Sequence, residues 1–233
     1  MDKSKTDLGF IHLFKPPKNG PSEHETRQPA IEGIAVTTFL LLHGTGGNEQ
    51  DLIPLAYELD KSAAILSPRG KVLENGVAPR FFRRLAEGVF DIDDLKFRTN
   101  ELADFVSDAS KTYDFDLQHT IVVGYSNGAN IATSMLLLRP EILSCAILFR
   151  AMVPLVPEKL PNLTNKHIFM SSGLYDPIVS RQEAERLFGL FKNAGAKVSV
   201  DWQKSGHELT MEDIRNAKEW LRMNSTSSHP RFV

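Results

Sequence analysis

The stretch Ile121-Val122-Val123-Gly124-Tyr125-Ser126-Asn127-Gly128-Ala129-Asn130 decides how the rest of the chain is read. Its first residues form an apolar run with two β-branched valines, the pattern of a buried strand. After it, Ala129, Ile131, Ala132, Met135 and Leu136 recur at helical spacing. Ser126 therefore sits on a sharp turn between a strand and a helix, within G-x-S-x-G. A serine on such a turn is held in an unfavourable backbone conformation, and side chains at the flanking positions would crowd it. The turn also aims the start of the helix, with its free N–H groups, at whatever the serine touches. These features point to a nucleophile elbow and to acyl-transfer chemistry. An ordinary glycine-rich strand–helix loop is the competing reading.

Working outward, the same alternation recurs. Thr37 to Leu42 is a continuous apolar strand that runs into His43-Gly44-Thr45-Gly46-Gly47. Further strands are predicted at Ala63–Leu66, His119–Val123, Cys145–Phe149, His167–Met170 and Lys197–Trp202. Between them, Leu52, Leu55, Ala56 and Leu59 mark a helix, as do Leu102, Phe105, Val106 and Ala109, then residues 128–138, then Ala184, Leu187, Phe188 and Phe191. A last helix has Thr210 as N-cap, Glu212 and Asp213 in its first turn, and Ile214, Ala217 and Leu221 on its buried face. Continuous hydrophobicity marks strands covered on both faces. The expected fold is a doubly wound, mostly parallel α/β sheet with helices on both faces.

Three stretches fall outside the alternation. Phe10 to Lys15 is a short strand candidate ending at Pro16-Pro17, and a polar loop follows to about Pro29. Residues 71–98 show no clear strand, and a connection of that length is expected to be a lid or pocket wall. The polar tail from about 224 to 233 is expected to fray. Residues 1–233 are read as a single domain.

The composition excludes several classes. The chain has 233 residues, 42% hydrophobic and 24% charged, enough to bury a sizeable core. A net charge of −2 gives no electrostatic reason to expect nucleic acid as a partner. No apolar run is long enough to span a membrane, and the first residues lead into no signal-type segment, so a cytoplasmic protein is expected. The single cysteine, Cys145, cannot form an intrachain disulfide. It falls at the start of a strand and reads as a buried structural residue.

Serine needs a base, and the base needs an acid to orient it. In an open α/β sheet the site lies at the C-terminal ends of the strands. His207, in Ser205-Gly206-His207-Glu208, follows the last strand. His167 opens a strand and faces the wrong end, and His229 lies in the tail. Asp176, in Gly173-Leu174-Tyr175-Asp176-Pro177, follows the strand before His207. The rival acids fit less well: Asp201 is inside a strand, Glu208 is too close to His207 to reach its ring, and Asp91, Asp93 and Asp94 precede the serine. The expected catalytic residues are Ser126, Asp176 and His207. The expected oxyanion donors are the backbone N–H groups of Asn127 and Thr45.

Two other readings fail. Gly44-Thr45-Gly46-Gly47 suggests a dinucleotide loop, but position 49 is Glu rather than Gly. Asp91, Asp93 and Asp94 suggest a metal, but they read better as a solvated helix start, and zinc-type His/Cys spacing is absent.

With these residues placed, the chain resembles the phospholipase/carboxylesterase branch of the α/β-hydrolase superfamily, from about Thr38 to about Leu221. The anchors are Leu42 to Gly47, Gly124 to Ala129, Gly173 to Val179 and Gly206-His207-Glu208. Arg80-Phe81-Phe82-Arg83-Arg84 is similar to bacterial hydrolases associated with catechol and hydroquinone stress. The resemblance implies an α/β-hydrolase fold and the triad and oxyanion donors named above; the reading of the residues calls for no metal or cofactor. Thioesterases of this branch usually carry Gln after the nucleophile, where this chain has Asn127. The expected function is a serine carboxylesterase acting on a small-molecule ester through an acyl-enzyme. The alternatives are an acyl thioesterase or lysophospholipase, with Phe81, Phe82, Phe90 and Met152 lining a channel, and a non-catalytic small-ligand-binding protein on the same scaffold. The oligomeric state is left open, a homodimer included.

Overall fold

The four consecutive apolar residues of Thr38–Leu42 (β2) have a simple physical use: all of them, with Thr38, are buried. Leu40 and Leu42 enter one hydrophobic core, while Phe39 and Leu41 enter a second on the opposite face. The same division holds at Ala64–Pro68 (β3), Thr120–Tyr125 (β8) and Cys145–Phe149 (β9), where neighbouring residues point to opposite cores. A strand that must be apolar on both faces shows no alternation, which is why the runs read as continuous.

The computed structural model describes residues 8–17, 37–86 and 88–225. His12–Lys15 (β1), β2, β3, β8, β9, His167–Gly173 (β10) and Lys197–Gln203 (β11) form one seven-stranded sheet in the order β1-β3-β2-β8-β9-β10-β11. All pairings are parallel except β1 with β3. Ile92–Tyr113 (α2), Asn127–Leu138 (α3) and Arg181–Asn193 (α4) bury their apolar residues in the first core. Ile53–Leu59 (α1) and Met211–Ser225 (α5) cover the second. This is the α/β-hydrolase arrangement. No helix among the described residues is long and apolar enough to cross a membrane.

The helix ends follow local chemistry. Asp91 caps α2, its side chain accepting from the Asp94 N–H, so the acidic run 91–94 is a helix start. Ser180 caps α4 by accepting from Glu183 N–H. Thr210 Oγ1 accepts from Asp213 N–H at the start of α5. α5 continues through Asn224 and Ser225, two residues into the stretch expected to fray, and the remaining tail lies outside the described residues. The polar loop expected after Pro17 also falls outside them.

One expectation needs correcting. Residues 71–98 contain two small hairpins: Val72–Glu74 (β4) with Ala78–Arg80 (β5), and Arg84–Ala86 (β6) with Val89–Phe90 (β7). α2 then begins at Ile92. Strands of two or three residues carrying Pro79 and three charges show no period-two signal. Ion pairs brace the segment instead: Glu74 accepts from both Arg80 and Arg84, and Arg83 pairs with Asp91.

Candidate active site

Ser126 stands between the end of β8 and the start of α3 with φ 52° and ψ −113°. Positive φ is costly for any residue with a Cβ, and such strain persists only where the surroundings enforce it. Here Ser126 N–H donates to Phe149 O at 2.9 Å, and Asn130 N–H donates to Ser126 O at 2.9 Å. The glycine two residues on serves a close approach: a Cβ on Gly128 would stand 1.9 Å from the Leu42 carbonyl oxygen. The elbow therefore packs its helix directly on the end of β2.

The side chains of Ser126, His207 and Asp176 lie in one line. Ser126 Oγ is 2.9 Å from His207 Nε2, and His207 Nδ1 is 2.8 Å from Asp176 Oδ2. The other Asp176 oxygen accepts from Ile178 N–H at 2.8 Å and Val179 N–H at 2.9 Å. The Asp176 side chain is only 1% exposed. An ionised carboxylate accepts only, so Nδ1 carries the proton and Nε2 is left to accept from the serine hydroxyl. The loops of Asp176 and His207 can meet because position 173 is glycine: a Cβ there would lie 2.2 Å from Gly206 O.

The His207 loop is held by residues that sequence reading missed. Arg150 follows β9, has φ 56°, and its side chain is wholly buried. Its Nε donates to Gly206 O at 3.0 Å and its Nη2 to Glu208 O at 2.7 Å. Tyr125 Oη donates to the carbonyl between them, His207 O, at 3.1 Å. Three successive carbonyls around the histidine are thus fixed from outside. Arg150 is itself anchored on Asp213, through contacts of 2.8 and 2.9 Å. Burial would push the Asp213 carboxyl upward, but hydrogen bonds from Arg150, Ser171 and Thr210 outweigh it and hold the carboxyl below its ordinary range. Asp213 is therefore more than the helix-start charge that its position suggested. The only sequence signal for Arg150 is a cation placed directly after an apolar strand at the catalytic edge.

Thr45 and Asn127 both line the cavity that contains Ser126 and His207. Asn127 is the first residue of α3, and its Oδ1 accepts from Phe81 N–H at 2.8 Å. Thr45 Oγ1 accepts from Arg80 Nη1 at 2.9 Å, and Gly46 N–H donates to Pro79 O at 2.9 Å. The hairpin β4–β5 thus fixes the loop that carries Thr45. The cavity measures ≈ 250 Å³ and has Arg80, Arg84, Gly88, Phe90 and Met152 among its walls. Segment 71–98 is therefore a wall of the site. Of the four apolar residues considered as lining, Phe90 and Met152 serve, whereas Phe81 and Phe82 are core residues at 2% and 0% exposure.

His43, at the head of the same loop, is buried. Its Nδ1 donates to Gly44 O at 2.7 Å and its Nε2 accepts from Gly70 N–H at 3.0 Å. Burial lowers its pKa below the ordinary 6.5, outweighing the Gly44 carbonyl and the nearby Asp51 and Glu49. A proton on Nε2 would also face the Gly70 N–H, donor against donor. Below pH 6.5 the unfolded chain takes up this proton before the folded chain does. The His43 contribution to stability is therefore complete above that pH and shrinks as pH falls toward the folded-state value. Thermal unfolding at pH 7.5 and 5.5 checks this: His43→Gln should show a smaller drop in Tm on acidification than the parent. Equal drops would exclude His43 as a source.

Cys145 opens β9 at the opposite end of the sheet from Ser126. Burial pushes its thiol up to about 12, so it supplies no thiolate at neutral pH.

The sequence profile described as Phospholipase/Carboxylesterase matches residues 32–225. A protein of Bacillus subtilis (strain 168) named as the hydrolase MhqD is 47% identical over 191 residues, covering 82% of this chain and 95% of that protein. The Bacillus cereus carboxylesterase crystal structure superposes with a TM-score of 0.85 at 46% identity, over 93% of this chain and 95% of that one. The structure of YahD with malic acid gives 0.80 at 31% identity, over 92% and 98%.

Proposed function

The chain belongs to the phospholipase/carboxylesterase family, and from that premise we propose that it is a single-domain serine carboxylesterase for short esters, with Ser126 as nucleophile, His207 as base and Asp176 as the acid that orients it. The observation that carries this reading is the unbroken hydrogen-bond line from Asp176 through His207 to Ser126, at 2.8 and 2.9 Å, on a serine with φ 52°.

Ser126 Oγ attacks the ester carbonyl carbon as its proton passes to His207 Nε2. The carbonyl π pair moves to oxygen, and the Asn127 and Thr45 N–H groups stabilise the oxyanion. The tetrahedral species collapses, the bond to the alcohol oxygen breaks, and His207 returns the proton to that oxygen. Asp176 stays ionised throughout and stabilises the imidazolium. Water then attacks the acyl-Ser126, gives a proton to Nε2, and the acid leaves as Oγ regains its proton. Side chains and water handle every proton in this cycle.

The size of the cavity favours a small acyl group over a long one. At ≈ 250 Å³ it falls below the range of about 300–1,000 Å³ usual for pockets that enclose drug-sized ligands. A p-nitrophenyl ester series tests this: acetate and butyrate should exceed dodecanoate in kcat/KM by on the order of tenfold or more. Rates that climb steadily to dodecanoate would instead support the lysophospholipase or long-chain thioesterase reading.

A further inference from the structure

The site cavity is lined by two arginines and, among the described residues, by no Asp or Glu. Arg80 and Arg84 both reach it from the hairpin segment. Their shared counter-ion, Glu74, is absent from the cavity lining. It accepts from Arg84 Nε at 2.6 Å and Nη2 at 3.2 Å, and from Arg80 Nη1 at 3.2 Å. Among the described residues, one carboxylate between two guanidinium groups leaves a single positive charge uncompensated.

Each arginine also keeps a free end. The Arg80 side chain is only 4% exposed and is immobilised through Nε on Phe82 O and through Nη1 on Thr45 Oγ1 and Glu74. Among the described residues, nothing accepts from its Nη2. Arg84, 34% exposed, spends Nε and Nη2 on Glu74, and nothing described accepts from its Nη1. The unspent Nη2 of Arg80 keeps contact with solvent, so this held guanidinium is pre-oriented to exchange water for an anion. Phe90, Met152 and Ile178 give the wall its apolar part, which would strengthen that attraction by excluding water.

We infer that the preferred substrate is a small ester bearing one carboxylate a few bonds from the scissile carbonyl, with that carboxylate held by Arg80 and Arg84. The single charge left uncompensated among the described residues matches a monoanion, and the small cavity matches a short linker. This inference rests on the serine-esterase reading and adds the class of ester.

Two pairs of substrates of matched shape test it, one for each side of the ester bond. Monoethyl succinate is compared with ethyl 4-methylpentanoate, and 3-acetoxypropanoate with 3-methylbutyl acetate. The readout is the ratio of kcat/KM, anionic over neutral, in the parent protein and in R84Q. Arg84 lies on an outer hairpin, and its removal leaves Glu74 paired with Arg80, so the variant should fold. The ratio in R84Q should fall by about tenfold in at least one pair, the size expected for a charge-assisted contact at a partly exposed site. A ratio that stays within about threefold of the parent in both pairs would overturn the inference. If neither the parent nor R84Q hydrolyses any of the four esters and a fluorophosphonate fails to label Ser126, the esterase reading itself is lost. Hydrolysis of the neutral esters with no change in ratio removes only the carboxylate preference.

Discussion

Replacing Ser126 with alanine should lower kcat for a short p-nitrophenyl ester by about 10⁶-fold while leaving KM and the far-UV circular dichroism spectrum close to the parent. The size follows from the loss of the only group that forms the covalent intermediate. What remains, the oxyanion donors and the cavity, still gives some acceleration over water, so the residual rate should not reach zero. A second substitution separates chemistry from backbone strain. Ser126→Gly should be equally inactive, but it should gain about 1 kcal/mol of stability, because glycine occupies φ 52° without penalty. Parallel denaturant melts of the two variants measure the difference. A Gly variant no more stable than the Ala variant would mean that the elbow stores no strain.

The second large effect belongs to Arg150. Arg150→Met should cost about 3–5 kcal/mol, because it strands the Asp213 carboxylate in a site with 0% exposure. It also frees the carbonyls of residues 206 and 208, so the His207 ring loses its fixed approach to Ser126. The two consequences can be parted. In Arg150→Met with Asp213→Asn, no buried charge is left unpaired, and much of the stability should return. The loop remains unheld, so kcat should stay about 10²-fold below the parent with little change in KM. Urea melts and steady-state kinetics on both variants decide the matter. A double variant that recovers stability and full kcat would make Arg150 a folding residue only. Acidification acts on the same pair. The Asp213 carboxyl is held below its unfolded value, so its contribution is present above the ordinary carboxylate range and is lost as pH falls toward the folded value.

Much of the fold is legible in the sequence because its central strands are buried on both faces. Leu40-Leu41-Leu42 and Ile121-Val122-Val123 must be apolar without interruption, and each ends at a glycine-bearing turn. Those constraints are local, and local constraints can be read from neighbours in the chain. The order Ser126, Asp176, His207 at three strand ends is also a linear pattern, and the structure has the three side chains within hydrogen-bond distance. The hairpins of residues 72–90 were invisible for the opposite reason. Their stability rests on Glu74 with two arginines and on Arg83 with Asp91, and no period along the chain reports such pairs. Arg150 and Asp213 are 63 positions apart, so nothing local to either marks the partnership. Phe81 and Phe82 illustrate a further limit. Adjacent aromatic residues show no face preference, and only the packing of the finished segment reveals that both are core while Phe90 is cavity wall.

On this reading Ser126 is the reactive group, activated by His207 and Asp176. The most direct measurement is covalent labelling of the folded protein with a fluorophosphonate, read by intact mass and then by peptide mapping. One adduct per chain is expected, carried by Ser126 and lost in His207→Ala under the same conditions. A folded protein that takes no label, or takes it at another residue, or labels equally well without His207, would contradict it.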